Sequence, residues 1–312
     1  MIDRRLRVLQ AIARHGTVTA AAEVCRLTPS AVSHQMQALA RELDVVLLEP
    51  VGRTVRLTAA ARTLLDHATE LSAAWERAQA DLAAHRAGDL IGSLRLSGFS
   101  TAAAVVAPQA LVLLRERYPA LRVQLRESEP ARAFDLLAAG DVDIAVVVAT
   151  PDIPPRSDAA FEQHPLYAEP LDVLVGPAHP LADRDAVALP EVAGDPWIVG
   201  TPGGAYHQLV TMACTSAGFQ PAVAHHADEW DTGAALVARG FGVALVPRLA
   251  ELPGRHDTRR IPVAGPPLPT RHVLTAVRAG SADRPAIAAG LAALRHVCAT
   301  ELPELARGSA GG

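Results

Sequence analysis

Residues 17–42 read TVTAAAEVCRLTPSAVSHQMQALARE, and this stretch decides the architecture of the chain. Thr17 is a candidate N-cap for a short helix from Val18 to Cys25, in which Ala20, Ala21 and Ala22 permit close packing. After a tight turn, Thr28 suits a second N-cap and Pro29 the first helical position, where its missing N–H costs nothing. Leu27 and Val32 then occupy the two positions of a hydrophobic staple. The helix that follows runs to about Glu42, with an inward stripe of Val32, Met36, Leu39 and Leu43. Its other face carries Ser30, Ser33, His34, Gln37 and Arg41, short or planar polar groups able to reach base edges and phosphates. Two helices joined by a tight turn, the second with a polar outer face, describe a helix-turn-helix.

Outward from this motif, Leu6, Leu9 and Ala13 predict a first helix ending near His15-Gly16. Downstream, Val45 to Leu48, the turn Pro50-Val51-Gly52 and Thr54 to Leu57 read as a hairpin wing with Arg53 and Arg56 near its tip. A polar helix face alone does not separate a DNA reader from an ordinary solvated surface; charge does. Over all 312 residues the net charge is −4, too acidic for a protein that coats nucleic acid by bulk charge. Residues 1–62, however, hold nine arginines against five acids, a net +4, and the rest of the chain a net −8. Every basic side chain is arginine, which together with the abundant alanine suggests a high-GC bacterial genome. Cys25, Cys214 and Cys298 form neither a disulfide framework nor a zinc spacing. With no secretory or membrane-spanning pattern, a cytoplasmic protein with reduced thiols is expected.

These residues resemble the LysR-type transcriptional regulators. The match includes Arg14-His15-Gly16-Thr17-Val18-Thr19-Ala20-Ala21-Ala22-Glu23, Leu27 to Met36, Leu47-Leu48-Glu49 and Gly52 to Thr58. It departs at Pro29-Ser30, where members often have Gln-Pro, at His34, where they often have Arg, and at Pro50 in the wing. The resemblance implies Thr19, Thr28, Pro29, Ser30, Ser33, His34, Gln37, Arg53 and Arg56 as DNA-binding residues, with an operator preference of this chain's own.

From Thr58 to about Gly88 a single long helix is predicted. Leu57, Ala61, Leu64, Ala68, Leu71, Trp75, Ala78 and Leu82 alternate by four and three, a heptad seam that needs a partner. That partner is either the chain's own effector domain or, as favoured here and in similar regulators, the same helix of a second copy.

Beyond Leu90, short apolar strands alternate with helices: Ser93–Gly98, Leu121–Arg126, Asp141–Val147, Leu171–Val175, Trp197–Gly200, Gly242–Val246 and Arg271–Val277 are the strands. The alternation predicts a mainly parallel sheet with ligand sites beyond the strand C-termini. Arg117-Tyr118-Pro119, Gly140 to Ala145, Ala178-His179-Pro180-Leu181 and Gly240 to Pro247 extend the resemblance to a two-subdomain effector domain of the periplasmic-binding-protein type. The expected limits are 1–57 for the winged head, 58–88 for the linker, 89–302 for the effector domain and 303–312 for a tail. Half I is about 91–165 with 268–300, and half II 166–267. Ser100, Thr101, Ser128, Thr201 and Gly203 are candidate effector-binding residues in loops after strands.

Enzyme signatures fail: the glycines of 200–204 lack a following Lys-Ser/Thr, and Ser97-Gly98-Phe99-Ser100 lacks the spacing of a nucleophile elbow. No cofactor or metal is expected, with His225-His226-Ala227-Asp228-Glu229 read as a solvated turn. The expected function is a non-enzymatic, effector-modulated DNA-binding transcription regulator. Its partners are promoter DNA, a small molecule, further copies as dimer and tetramer, and RNA polymerase in the case of an activator. Alternatives are a cytoplasmic small-molecule-binding protein without a DNA role, or a redox- or metal-responsive regulator of the same architecture.

Overall fold

The computed structural model describes residues 3–52, 54–85, 90–300 and 302. Helices α1 (Arg4–His15), α2 (Val18–Cys25) and α3 (Pro29–Glu42) and the hairpin β1 (Leu48–Val51) and β2 (Thr54–Leu57) form the head. Asp3, Thr17 and Thr28 start the three helices by accepting from the N–H groups of Arg5, Ala20 and Ala31. Arg26, at a left-handed φ of 56°, ends α2 by returning its N–H to the carbonyls of Ala22 and Glu23, which makes the tight turn. Leu9, Ile12, Val32, Met36, Leu39 and Leu47 close the core beneath.

Two details of the head differ from expectation. Leu43 is exposed, because α3 stops at Glu42 and Leu43 is its C-cap. The hairpin pairs Leu48 with Leu57 and Val51 with Thr54, so Pro50 lies inside β1 opposite Val55 instead of in the turn. A two-stranded ribbon tolerates this, since each of its strands is an edge.

α4 (Ala59–Ala84) has 26 residues, about 39 Å at ~1.5 Å per residue, and Thr58 caps it onto Ala61 N–H. It ends at Ala84; residues 86–89, in the expected last turn, lie outside the described residues, as does the tail at 303–312.

The effector region runs β3 (Gly92–Gly98), a π-helical turn (Ala102–Val106) leading into α5 (Ala107–Arg117), β4 (Leu121–Glu127), α6 (Pro130–Ala139), β5 (Ile144–Val148) and β6 (Phe161–Val175). A 3-10 turn (Leu189–Val192), β7 (Pro196–Val199), α7 (Ala205–Ser216), β8 (Ala222–His226), α8 (Trp230–Ala238) and β9 (Ala244–Pro247) follow. The region closes with β10 (Arg259–Pro262), β11 (Thr270–Arg278) and α9 (Pro285–Thr300).

The sheet is mixed, not mainly parallel. β3 lies parallel to β4 and β5, but β11 runs antiparallel to β5 and β6, and β6 antiparallel to β9 and β10. The cause is topological: the chain leaves the first half on β6 and returns on β11, and neighbouring outward and return strands are antiparallel. All five residues of β5 are buried, with α5 and α9 on one face of its sheet and α6 on the other. In the second half Leu171, Val173, Trp197, Val210 and Leu245 form a separate core.

Linker and head both rest on the first half. Glu76 of α4 accepts from Arg278 Nε at 2.6 Å and Arg284 Nη1 at 3.1 Å. Gly280 (φ 79°) lies so close to α4 that a Cβ there would come within 2.4 Å of the Ala73 carbonyl oxygen. One face of α4 therefore packs on its own effector domain at Ala73, and Ala68 and Ala80 are buried as well. Along a second face Leu71, Trp75 and Leu82 stay 59, 45 and 66 % exposed. The head is held by Asp135 of α6, a buried carboxylate 2.8 Å from His15 Nε2 and 3.6 Å from Arg14 Nη1. Arg14 also stacks over the Phe161 ring at 5.0 Å, and Arg26 bonds Asp141 at 3.0 Å.

Asp135→Asn should therefore loosen the head without unfolding it. We expect a loss of about 1–2 kcal/mol in local stability, less than for a fully buried pair because His15 and Arg14 are partly exposed. Hydrogen exchange should report it as roughly tenfold faster exchange in α1, with β3 and β5 unchanged. Unchanged α1 protection would show that Asp135 does not hold the head.

Candidate functional site

The polar face of α3 points to solvent. Thr28, Pro29, Ser30, His34, Gln37 and Arg41 are exposed and Ser33 is half-buried. Thr28 Oγ1 accepts from Ala31 N–H and lies 3.0 Å from Ser30 Oγ, so its first duty is the cap. Thr19 is exposed on α2. In the wing, Arg56 is exposed but engaged across the hairpin, its Nη2 donating to Glu49 Oε2 at 2.7 Å. A phosphate must compete with that carboxylate for the guanidinium. Arg53 lies outside the described residues. The surface thus offers hydroxyl, amide and imidazole groups on a helix that can enter a major groove.

The second site is a cleft of about 300 Å³ where the strand-to-helix loops of the two halves meet. Ser100 and Thr201 line it, as the sequence suggested. Thr101 is buried just behind, its hydroxyl without a hydrogen-bond partner among the described residues. Ser128 is half-buried and its hydroxyl pairs with that of Ser97. Gly203 takes a φ of 86° in the loop, and Gly204 and Ala205 form the wall in its place.

Sequence reasoning missed most of the cleft's chemistry. Phe99, Tyr206 and Trp230 supply an aromatic lining, with Trp230 edge-on to Tyr206 at 4.9 Å between centroids. Tyr206 is fixed by its hydroxyl donating to Leu245 O at 2.7 Å. Arg271 enters from β11, its guanidinium 4.9 Å over the Phe99 ring and its Nε 2.5 Å from Glu169 Oε1. Asp228 accepts from the Thr201 hydroxyl at 2.5 Å and from Thr201 N–H at 2.7 Å, and these bonds hold its carboxyl below the usual range. Burial pushes the Glu129 carboxyl up, and the carboxylates of Asp228, Asp152 and Glu127 add to the effect. The imidazoles of 225 and 226 diverge: His226 Nδ1 donates to Gly200 O at 2.9 Å, and His225 packs edge-on against Phe241.

Residues 4–62 match the family described as bacterial regulatory helix-turn-helix protein, lysR family, and residues 87–299 match the LysR substrate binding domain. The chain belongs to the LysR family of transcriptional regulators. It is a DNA-binding regulator with an effector-binding domain, not an enzyme. Among similar LysR proteins, the DNA-binding transcriptional dual regulator OxyR of Escherichia coli K12 is 27% identical over 252 residues, 81% of each chain. The transcriptional dual regulator GltC of Bacillus subtilis is 28% identical over 269 residues, 84% of this chain and 86% of that one. Full-length OxyR from Pseudomonas aeruginosa has the same fold with a TM-score of 0.63 at 23% identity, covering 93% of each chain.

Other relatives are named hydrogen peroxide-inducible genes activators. Cys214 is buried in the second-half core and Cys298 half-buried on α9; burial pushes each thiol up to about 12. Burial, then the nearby Asp135 carboxylate, also raises Cys25. Thiolate is the reactive form, so all three read as packing residues. A Cys25→Ala, Cys214→Ala, Cys298→Ala variant should keep DNA affinity within about twofold in the presence or absence of peroxide, read by gel shift. A peroxide response present in the parent and lost in the variant would restore the redox reading.

Proposed function

We propose that this LysR regulator, a cytoplasmic protein, reads an interrupted inverted repeat in promoter DNA with two copies of α3. Ser30, Ser33, His34 and Gln37 face base edges; Thr19, Thr28, Pro29, Arg53 and Arg56 set the backbone contacts. The two copies pair along Leu71, Trp75, Ala78 and Leu82; Leu64 and Ala68, expected on the same seam, are turned inward within one chain, Leu64 against the head core and Ala68 fully buried. Dimers associate further to a tetramer, and contact with RNA polymerase follows where the outcome is activation. The units are 1–57, 58–88 and 89–302, with the half boundaries near 165 and 267.

A small-molecule effector occupies the cleft between the halves, and α6 transmits its presence. The observation that carries this reading is the position of that one helix. Glu129 and Pro130 at its start lie in the cleft wall, while Asp135, further along the same helix, grips His15 and Arg14 of the head. A ligand that prefers one spacing of the halves displaces the first turn of α6, and a ten-residue helix moves as a rod. The head then shifts relative to its counterpart on the DNA.

Two experiments test the reading. Ala205→Trp, which fills the cleft, should leave salt-sensitive binding to the upstream promoter intact by gel shift. Its nuclease footprint should no longer change with the low-molecular-weight fraction of the producing cells, as the parent's does; equal changes in both proteins would remove the effector from the cleft. Trp75→Glu with Leu82→Glu should sediment as a monomer and bind promoter DNA at least about tenfold more weakly, through loss of two-site engagement. A surviving dimer would place the seam elsewhere.

A further inference from the structure

The nine arginines that make residues 1–62 basic are mostly engaged within the chain. Arg5 pairs with Asp3 and Glu42, Arg14 with Asp135, and Arg26 with Asp141. Arg4 and Arg7 border the crevice between α1 and α6. Arg41 donates to the Gln37 carbonyl and Arg62 to the Leu57 carbonyl, bonds that compensate neither charge. Arg53 lies outside the described residues. On the wing that leaves Arg56, and a carboxylate of the same hairpin already holds it.

Glu49 and Arg56 stand directly opposite each other in the β1–β2 register. Opposed residues share a face, so Glu49, Val51, Thr54 and Arg56 line the outer side of the ribbon. Leu48, Val55 and Leu57 pack against the head core from the other side. Arg56 Nε and Nη2 both donate to Glu49 Oε2, at 3.0 and 2.7 Å. Among its described residues, the outer side therefore carries one positive and one negative charge. The Arg56 and Glu49 side chains are 70 and 45 % exposed, and a pair so open to water adds little to stability. The three apolar contacts seat the hairpin without it.

We propose that Glu49 restrains sequence-independent binding of the head to DNA. A phosphodiester and a carboxylate each carry one negative charge, so moving Arg56 from Glu49 to the DNA backbone neutralises nothing further. The exchange also leaves Glu49 unpaired beside a phosphate. Cations that reach phosphates displace condensed counterions, the source of most non-specific affinity, and a guanidinium already held by a carboxylate contributes little of it. The remaining affinity falls to the α3 face and to both heads binding together, which ties occupancy to the spacing of the heads. The restraint is the same on every sequence, since phosphates carry no sequence information.

The restraint rests on the DNA-binding reading of α3 and the wing above, and one set of full-chain variants separates the two. Each is bound to a random-sequence duplex and to the upstream promoter duplex, by fluorescence anisotropy between about 50 and 200 mM salt. Glu49→Gln should bind both duplexes at least about threefold more tightly at the low-salt end, and its log–log salt slope should steepen by about 0.9 for each head engaged. Glu49→Asp, which keeps the charge, should stay within about twofold of the parent. Glu49→Gln with Arg56→Gln should return to that same level. A hairpin loosened by the substitution would weaken binding without steepening the slope, so the slope reports charge and not folding. Unchanged or weaker binding by Glu49→Gln, or an unchanged slope, overturns the restraint. Tighter binding that persists in the double variant overturns it too, because Arg56 is then not the group released. If Ser33→Ala with His34→Ala loses the preference for promoter DNA, the α3 reading survives those failures. If that variant and Glu49→Gln both leave every affinity unaltered, the DNA-binding reading of the head fails as well.

Discussion

Everything in the effector domain hangs on the antiparallel pairing of β6 with β11. β6 is 15 residues long, pairing with β11 over its first part and with β9 and β10 over its last. One strand thus belongs to both halves, and the cleft lies where its neighbours diverge. The same pairing brings Glu169 and Arg271 together across 102 residues of sequence. A buried ion pair of this kind contributes little net stability, since desolvation offsets the attraction. Its use here is positional: Glu169 fixes a guanidinium in the wall of the cleft.

Legibility in the sequence followed the range of the interactions. The bounds of α2 and α3 can be read because Thr17, Thr28 and Pro29 act within three residues of themselves. The wing's register cannot, because the burial of Leu47 resembles the start of a strand while the pairing begins at Leu48. β6 is hidden in its own composition: Pro165 and Pro170 break a pattern that only the partner strand restores, with a register shift where Pro165 meets Leu274. The parallel reading of the sheet failed for the same reason, since strand direction depends on where a chain returns.

The two functional surfaces differ in the same way. The α3 face depends on helical periodicity, so its residues could be chosen in advance. In the cleft, the local rule that polar groups follow strands found Ser100 and Thr201, but nothing local marks Arg271 or Trp230 as neighbours. An arginine near the start of a strand with an apolar centre, Arg271 in β11, was the available signal. The linker was half legible. Its leucines and tryptophan advertise one seam, while the face packed on the effector domain is built from alanines, whose periodicity is faint.

Glu76 gives the linker a fulcrum. It fastens α4 to the first half through two arginines, 17 residues from the start of the helix at Ala59. At ~1.5 Å per residue that arm is about 25 Å, so a rocking of about 10° at Glu76 carries the head by about 4 Å. Successive base pairs are separated by ~3.4 Å. A motion too small to disturb the packing of either half therefore changes the phase of the head on DNA by a whole base-pair step, and the leverage resides in the length of one helix.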